Sequence, residues 1–595
     1  MPIDRETSGL VRQVVRGEMS RRAFVTRAVA VGMSATGIAS ALAACSGGDE
    51  AKGSSASGAV KGPASTPRAD VFYPDGYVGP IASTKSKITT EPVTLKVVVP
   101  EDPLVGDWNK NPFTTWFEQR TGVHIEWQTV TAEDTITKVN AMIAANELPD
   151  IFMSVGFSPA QEQLYGSQGL FMPLNDYIDD YGAELQRVLK EYPDTKSLIT
   201  STDKNLYSLP NLNDCFHCSA GADRTWIFKP WLDKLGLKMP QTLDEFEQVL
   251  LAFKSRDPNG DGKGGDEVPF MGYSWEGMDT YFMGAFMYNP GTPWLVLQDG
   301  KVDVTFNKPQ WREGLKYMNK LSQQGLLPKV SFTQDENALK RLGNKAGAPV
   351  LGSVRAFYQG SFVNVDDKGP NARWRSYETV PQLAGPDGTR VAAWNYYGAV
   401  STGTFVITKA CKHPEIAFMW ADAQYELEAV LRSTSGVLGQ DWNWAKKGED
   451  GLSGKQAIWT STSDYGSSKL DGKTWNQKGV QYRSSDFRMS QTVDQKNPPF
   501  EKPLHEYTAR DYFAYKQDKG LQLPPLSLSE DQAAQAGDLA TTINNHVSQM
   551  VAKFSLGDVD VNDDKQWDNY LSTLDKMGLK NYLAIQQSAY EKKYK

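Results

Sequence analysis

A short polar segment has the residue types and spacing of a calcium-binding loop. Its oxygen donors are, in chain order, Asp257, Asn259, Asp261, the carbonyl of Lys263, Asp266 and Glu267. The first four fall at positions 1, 3, 5 and 7 of an EF-hand-type loop, with Gly262 at the sharp turn, and such hard oxygen ligands suit Ca²⁺. The twelfth position is Val268, so Asp266 or Glu267 must complete the set. The pattern predicts a structural calcium ion; a solvated polar turn is the alternative.

Two thiols flank a histidine in the segment Cys215-Phe216-His217-Cys218. This C-x-x-C spacing occurs in redox motifs, in half-sites for zinc and in small disulfide loops. A structural zinc site needs two more ligands, and His217 is the one local candidate. In an exported protein we therefore expect a disulfide between Cys215 and Cys218, and a buried thiol at Cys411.

Aromatic residues lie beside small polar residues in residues 273–275, 394–397 and 442–444. A sugar ring has an apolar face and a rim of hydroxyls, so its site needs flat aromatic platforms with amide or charged groups at their edges. Trp275 and Trp394 are the predicted stacking platforms. The predicted edge contacts are Trp108, Asn109, Ser154, Arg355, Asn395 and Tyr396. Core packing is the alternative role for each tryptophan.

Residues for covalent or hydrolytic catalysis are sparse. The five His are scattered, and no Ser-His-Asp order, P-loop or dinucleotide fingerprint stands out. Glu276 and Asp279 could imitate the paired carboxylates of a glycoside hydrolase, which lie about 5 to 10 Å apart. A lipid-anchored extracellular glycoside hydrolase is therefore the alternative function. A calcium-dependent surface adhesin is a third.

The N-terminus has the order of a bacterial export signal, with arginines before an apolar run and then Cys45. Residues 20–25 resemble the twin-arginine motif, and Leu42-Ala43-Ala44-Cys45 resembles a lipobox, whose Cys thiol takes a diacylglycerol. We expect residues 1–44 to form the signal. Residues 45–92 would be the lipidated Cys and a flexible tether, because Ser, Gly, Ala and Pro dominate its beginning. The protein would then be held at the extracellular face of the cell membrane.

Removing the signal and the tether leaves roughly 500 residues for folding. The charge and composition of the whole chain narrow its class of partner. Lys and Arg number 63 and Asp and Glu 71, which gives a net charge of −8. No long block of one charge is present, so we expect no nucleic-acid partner. Hydrophobic residues make up 40 % of the chain, enough for a buried core. Beyond the N-terminal run, no segment is apolar enough to span a bilayer.

The elements that must position these residues begin as alternating strands and helices. The predicted order is a strand at 94–99, a helix from Asn111-Pro112, a strand at 123–130, a helix at 132–146 and a strand at 149–153. This alternation predicts a parallel sheet with helices on both faces, which binds ligands beyond its strand ends. Trp108, Asn109 and Ser154 fall in loops at such ends. Capping signals and apolar stripes predict further helices over 243–253 and 529–554.

Several segments resemble the family 1 extracellular solute-binding lipoproteins of carbohydrate ABC importers, in particular the long subgroup with an embedded calcium loop. These segments are residues 147–151, 231–237, 240–246, 252–263 and 577–583. One departure is Phe228-Lys229-Pro230, where relatives tend to have Arg-Lys-Asp. The resemblance implies a monomeric receptor, not an enzyme, that captures an oligosaccharide and delivers it to the importer's permease subunits.

The same resemblance implies an α/β, two-lobed, periplasmic-binding-protein-like fold with a hinge and an interlobe cleft. Each lobe would be a mostly parallel sheet flanked by helices. By analogy, the chain crosses the hinge near residues 209–225, 377–381 and 435–442. Lobe 1 would then comprise residues 93–215 plus 378–435, and lobe 2 residues 222–377 plus 436–595.

Overall fold

The computed structural model describes the body of the chain. The described residues are 66–84, 87–132, 134–274, 277–367, 369–463, 467–494 and 498–595. The predicted signal and lipobox, Cys45, Trp275 and Glu276 lie outside these ranges.

The strands are numbered in chain order. They are β1 (Thr66–Pro67), β2 (Ser83–Thr84), β3 (Val93–Pro100), β4 (Val123–Val130), β5 (Ile151–Met153), β6 (Leu209–Asn213), β7 (Thr225–Phe228), β8 (Val268–Met271), β9 (Leu295–Gln298), β10 (Lys301–Val304), β11 (Leu351–Arg355), β12 (Tyr377–Val380), β13 (Val400–Ile407), β14 (Trp442–Trp444), β15 (Trp459–Ser461) and β16 (Tyr482–Arg483).

The α-helices are numbered in the same way. They are α1 (Pro112–Thr121), α2 (Thr135–Ala144), α3 (Pro159–Ser167), α4 (Asn175–Tyr181), α5 (Ala183–Glu191), α6 (Asp194–Ile199), α7 (Lys229–Leu235), α8 (Leu243–Ser255), α9 (Asp279–Met283), α10 (Pro309–Gln323), α11 (Glu336–Gly343), α12 (Pro414–Asp422), α13 (Leu427–Ser435), α14 (Ser485–Met489), α15 (Glu501–Asp511), α16 (Glu530–Leu556), α17 (Asp564–Lys576) and α18 (Leu579–Tyr594). Among the described residues, no helix combines the length and the apolar character that a membrane span requires.

The first lobe is built on a six-stranded sheet in the order β16-β6-β13-β5-β3-β4. β3 lies parallel to both β4 and β5, as the alternation of strands and helices predicts. β13 returns from the other lobe and runs antiparallel to β5 and β6. Apolar side chains of this sheet, such as Val97 and Phe405, are fully buried against α1, α4 and α12.

The second lobe is built on a four-stranded sheet in the order β12-β7-β11-β8. β8 and β11 are parallel neighbours, and β7 runs antiparallel to both of its neighbours, β11 and β12. β12, β11 and β8 therefore share one direction and β7 alone is reversed, which agrees with the mostly parallel sheet predicted. The long C-terminal helices α16, α17 and α18 bury apolar side chains in the same core.

The chain does not leave the first lobe for good at residue 436, which corrects the predicted boundary. Trp442 and Trp459 pack in one apolar cluster with Leu427 of α13, and β16 joins the larger sheet. Phe500 is the next buried apolar side chain to lie in the core of the second lobe. The last passage between the lobes therefore falls between α14 and α15.

Residues 66–84, which the sequence assigns to the tether, fold onto the first lobe. β1 and β2 pair antiparallel, Thr66 opposite Thr84. Val71 and Ala82 are buried in the cluster that contains Trp442. We call residues 66–84 the strap. The predicted tether is too long at its C-terminal end, because these residues bury apolar surface that a free linker would expose.

Candidate ligand-binding cleft

Two pairs of parallel strands direct their carboxyl ends at the space between the lobes. In the first lobe, β6 and β16 are parallel and end at Asn213 and Arg483. In the second lobe, Tyr273 and Phe357 follow the ends of the parallel strands β8 and β11. All four side chains line one cavity. This placement agrees with the rule that open α/β sheets bind ligands beyond the carboxyl ends of their strands.

The cavity has a volume of about 540 Å³, within the range of small-molecule sites. Its first-lobe wall consists of Asn213, Thr434, Ser435, Trp459, Ser463, Leu470, Gln477, Arg483, Phe487, Arg488 and Gln491. Its second-lobe wall consists of Tyr273, Glu336, Phe357, Tyr358, Ser361, Phe500, Glu501 and Leu504. His217 and Cys218 line it at the hinge. The cavity is therefore an interlobe cleft.

Aromatic rings lie in both walls of the cleft. On the first lobe, the rings of Trp459 and Phe487 stack with centroids 5.7 Å apart and planes 14° apart. On the second lobe, the rings of Tyr358 and Phe500 lie 6.1 Å apart. Flat apolar rings next to amides and guanidinium groups form the kind of surface that binds a sugar ring by its face and its hydroxyl rim.

An ion pair joins the two lobes at the cleft. The Nε of Arg488 on α14 lies 3.1 Å from Oε1 of Glu501, the first residue of α15. The same guanidinium donates from Nη1 to Oδ1 of Asn213 at 3.1 Å. Arg483 donates to Gln477, and Glu336 supplies a second carboxylate to the cleft. The charges of the lining side chains therefore balance.

His217 stands between the ion pair and the hinge cysteines. Its Nδ1 lies 3.4 Å from Oε1 of Glu501, and its Nε2 lies 3.4 Å from Sγ of Cys215. Burial, together with the positive charges of Arg488 and Arg224, lowers the pKa of His217 well below its usual range. The imidazole is consequently neutral at physiological pH.

The structure joins Cys215 and Cys218 by a disulfide, with their Cα atoms 5.1 Å apart. Their sulfur atoms are thus bonded to each other rather than free to ligate a metal. Cys411 is a buried free thiol, and burial raises its pKa to about 12.

The first-lobe residues predicted to contact ligand lie away from the cleft. Trp108 is 3 % exposed and packs in the core, with its ring centroid 4.5 Å from that of Trp127. Asn109 is exposed, and its N–H donates to Oδ1 of Asp107. Ser154 has a left-handed φ of 56° and accepts from the N–H of Gly479 at 2.8 Å, beside a separate depression. The core alternative is therefore the correct one for Trp108.

Arg355, predicted as an edge contact, is buried in the second lobe. Its Nη2 donates to Oγ1 of Thr280 at 3.1 Å, and its Nη1 donates to the carbonyl of Arg224 at 3.2 Å. Arg355 ends β11 two residues before the cleft-lining Phe357, and its side chain is not among those lining the cleft. Its hydrogen bonds stabilise the end of β11 instead.

The predicted platform Trp394 is covered by the segment that follows α15. Its ring lies 5.2 Å from those of Phe216 and Phe513, and its N–H donates to Gln517. Its predicted neighbours Asn395 and Tyr396 both hydrogen-bond Gln522. Among the described residues, these three lie outside the cleft lining. Trp275 lies outside the described residues, although Tyr273 from the same aromatic segment does line the cleft.

The polar loop after α8 is folded by hydrogen bonds from its backbone to its own side chains. Asp257 accepts from the N–H groups of Gly260 and Gly262 at 2.8 and 3.2 Å. Oδ1 of Asn259 and of Asp261 accept from the N–H groups two residues farther on. Such turns fix the side-chain oxygens of the loop against its own backbone.

Glu267 provides the test of whether that loop suits a metal ion. The residue is 6 % exposed, and its Oε2 accepts from the N–H of Gly265 at 3.1 Å. Its Oε1 is buried without a hydrogen-bond partner among the described residues. Asp266 accepts from the amide of Asn259 at 3.3 Å. An unpaired buried carboxylate oxygen is costly, and a calcium ion would satisfy it. The residues therefore fit the ion.

The carboxylate proposed for glycoside hydrolysis is engaged elsewhere. Oδ2 of Asp279 accepts from Nδ2 of Asn289 and from Nε1 of Trp294, both at 3.0 Å. Asp279 is buried and does not line the cleft, and Glu276 lies outside the described residues. Asp279, the member of the pair that the structure describes, is thus a structural carboxylate.

Sequence reasoning missed the first-lobe wall of the cleft. Trp459, Phe487 and Arg488 follow the boundary at 436, and the sequence placed that whole region in the other lobe. The sequence signal available in this region was the helix N-cap Ser484, whose hydroxyl accepts from the N–H of Phe487 at 3.1 Å. That signal marks a helix start but says nothing about a cleft.

Comparisons with known proteins agree with this architecture. Residues 89–429 match the family described as bacterial extracellular solute-binding protein. The fructooligosaccharide ABC transporter substrate-binding protein FusA of Streptococcus pneumoniae serotype 4 is 29 % identical over 511 residues, which cover 84 % of this chain and 90 % of that protein.

Solved structures of the same relative confirm the two-lobed fold. S. pneumoniae FusA in complex with kestose has a TM-score of 0.71 at 28 % identity, covering 84 % of this chain and 99 % of that one. A FusA EF-hand mutant in complex with fructo-nystose has a TM-score of 0.70 at 27 % identity, with the same coverage. Because the family match spans more than half of the chain, this protein belongs to the bacterial extracellular solute-binding proteins.

Proposed function

We propose that the protein captures an uncharged oligosaccharide in the interlobe cleft and releases it intact to the permease of an ABC importer. The observation that carries this proposal is the pairing of ring-stacking and hydrogen-bonding groups in one cavity. Trp459 and Phe487 lie beside Gln491, and the aromatic wall of Tyr358 and Phe500 belongs to the opposite lobe. Binding would thus depend on both lobes.

Charge balance supports an uncharged ligand. Arg483 and Arg488 are offset by Glu336 and Glu501 in the same cleft. An acidic oligosaccharide would bring uncompensated negative charge into a partly desolvated site, which is costly. The relative FusA has been crystallised with kestose and with fructo-nystose, which gives two neutral probes to start from.

A ligand screen tests the proposal. Thermal unfolding would be followed with kestose, with other neutral oligosaccharides and with oligogalacturonates. We expect a neutral ligand to raise the melting temperature, since a ligand at 100 times its dissociation constant adds about 2.7 kcal/mol of stability. Stabilisation by oligogalacturonates alone would contradict the charge argument.

The same incubations separate a receptor from the glycoside hydrolase alternative. A receptor returns its ligand unchanged, whereas a hydrolase releases shorter sugars. The relatives are binding proteins of transporters, and Asp279 is held by Asn289 and Trp294, which favours the receptor. Chromatography of the recovered ligand would show intact sugar; hydrolysis products would support the enzyme.

The proposal includes a lipid anchor at Cys45 after twin-arginine export and cleavage of residues 1–44. It is supported by the lipobox sequence and by the extracellular character of the family. The receptor would act as a monomer at the outer face of the membrane. Cys45→Ser should yield unprocessed or released protein. Processed, membrane-bound Cys45→Ser protein would contradict the anchor.

We also propose a structural calcium ion in the loop after α8. Asp257, Asn259, Asp261, the Lys263 carbonyl and Glu267 would hold it, with Asp266 near the rim. The unpaired Oε1 of Glu267 supports this assignment, and so does the EF-hand of the relative FusA. The ion would neutralise the loop's carboxylates and fasten the second lobe. Elemental analysis of protein purified with calcium tests it; a calcium-free sample would overturn it.

A further inference from the structure

We propose that the strap, residues 66–84, is a positioning element for the first-lobe wall of the cleft. This inference rests on the proposed function, because it concerns how tightly that wall holds ligand. The strap lies outside the cleft lining, yet it contacts the short helix that carries two lining side chains, Phe487 and Arg488.

Both backbone polar groups of Val78, in the strap, form hydrogen bonds with residues at the start of α14. Its N–H donates to Oδ2 of Asp486 at 2.9 Å, and its carbonyl accepts from the hydroxyl of Ser484 at 2.6 Å. Ser484 is the N-cap of α14, and its oxygen also accepts from the N–H of Phe487. The strap therefore holds the turn of chain from which Phe487 and Arg488 project.

The approach of the strap to this helix is close. A Cβ at Gly79 would lie 2.4 Å from Oγ of Ser484 and 2.6 Å from the hydroxyl oxygen of Tyr77. Any larger residue beside Val78 would therefore have to displace one of these side chains. Tyr77 packs in the apolar cluster that includes Trp459 and Phe487, which are the stacked rings of the cleft. The strap thus supports the stacked pair from its outer side.

Both ends of the strap are fixed to helices of the first lobe. The N–H of Ser83 donates to Oε1 of the buried Glu426 at 2.8 Å, and Arg120 donates to the Ser83 carbonyl at 3.0 Å. At the other end, Arg68 pairs with Glu428 at 3.1 Å. A segment held at both ends can restrain the helix that its middle contacts. Short helices of this kind are marginal without such tertiary support.

The consequence is that Asp486 and Val78 influence ligand retention without touching ligand. When the contact is removed, α14 should fluctuate more, and the Trp459–Phe487 stack and the Arg488–Glu501 pair should form less often. Ligand dissociation should accelerate, while the second lobe keeps its stability.

The test compares three single variants in the mature chain. Asp486→Ala removes the acceptor for the Val78 N–H, and Asp486→Asn keeps an acceptor oxygen. Asp70→Ala removes an exposed strap carboxylate that pairs with Arg68 of the strap itself. The readouts are the dissociation rate of kestose, or of the tightest neutral oligosaccharide from the screen, and amide exchange of residues 484–489.

We expect Asp486→Ala to raise the dissociation rate about fivefold, the equivalent of one lost hydrogen bond. Exchange of residues 484–489 should accelerate, Asp486→Asn should restore both readouts, and Asp70→Ala should behave as wild type. A folded Asp486→Ala protein with wild-type dissociation and exchange would overturn the proposal. If Asp486→Ala fails to fold, Tyr77→Ala is measured in its place, with the same two outcomes.

The experiment keeps the two proposals apart. If wild-type protein binds none of the oligosaccharides, the proposed function fails. Amide exchange of α14 in the Asp486 variants still tests the strap in that case, because this measurement needs no ligand.

Discussion

The two walls of the cleft differ in chemistry and in support. The first-lobe wall carries three amide side chains, two arginines and three hydroxyls beside the stacked rings of Trp459 and Phe487, whereas four of the eight second-lobe side chains are aromatic and none is an amide. The first wall is held from outside by the strap, and the second follows directly from the ends of β8 and β11. We expect the amides and hydroxyls of the first lobe to recognise the hydroxyl pattern of the sugar, while aromatic rings in both walls supply affinity that depends little on sugar identity.

The ion pair that joins the walls should give the largest effect. Arg488→Ala leaves Glu501 and Asn213 without their cationic partner, and truncating one member of a largely desolvated pair costs about 2 to 5 kcal/mol. We expect calorimetry to show at least a roughly 30-fold loss of oligosaccharide affinity. Lys229→Ala removes a cation from the exposed pair with Asp233 and serves as the control. Equal affinities for the two variants would show that the walls are not joined in this way.

Removing calcium should weaken the second lobe alone. The proposed ion lies in the loop after α8, and no residue of this loop lines the cleft. At 100 times its dissociation constant, calcium would add about 2.7 kcal/mol of stability. A chelator should therefore lower the melting temperature by several degrees and leave the oligosaccharide affinity of the folded protein nearly unchanged. Glu267→Gln should be insensitive to chelator. An oligosaccharide affinity that falls as calcium is removed would contradict this prediction and would show that the loop influences the cleft.

The pH dependence should report on His217 at the junction of the walls. Its pKa in the folded protein lies well below the value of about 6.5 expected when unfolded. The unfolded chain therefore binds a proton more readily, and the stability that the neutral ring provides is lost as pH falls below about 6.5. His217→Gln should lose less stability than wild type between pH 7.5 and pH 5. Equal losses of stability in the two proteins would contradict the conclusion that His217 is buried as a neutral ring.

Single polar contacts should have the smallest effect and should change selectivity. Gln491→Ala removes an amide from the first wall, which costs about 1 kcal/mol for each hydrogen bond to ligand. We expect a modest loss for the preferred oligosaccharide and a changed ranking among its isomers. Phe500→Leu, on the second wall, should weaken all of them similarly. A uniform loss with Gln491→Ala and a changed ranking with Phe500→Leu would contradict the roles assigned to the two walls.

The first part of the fold was predictable from local signals. Asn111 caps α1 with Pro112 behind it, and Gly122 ends that helix in the left-handed conformation. Ser529 and Gly557 bound α16 in the same way, close to the predicted 529–554. Such signals act over a few residues, so a single sequence contains them. The polar loop after α8 has the same local character.

The cleft was not predictable in this way, because its walls come from distant parts of the chain. Asn213, Tyr273 and Arg488 meet through the order of strands in two sheets. Trp394 and Trp459 both lie near small polar residues, yet Trp394 is covered by residues after α15 and Trp459 faces the cleft. Nothing adjacent to either tryptophan in the sequence distinguishes them.

These two tryptophans provide the most direct test of the account. Calorimetry with kestose, or with the tightest neutral oligosaccharide, would compare Trp459→Ala with Trp394→Ala. Since an aromatic contact contributes about 0.5 to 1.5 kcal/mol beyond its buried area, Trp459→Ala should bind at least roughly tenfold more weakly. Trp394→Ala, if folded, should bind like the parent. Wild-type affinity in a folded Trp459→Ala protein, with loss of binding in Trp394→Ala, would place the ligand outside the cleft described above.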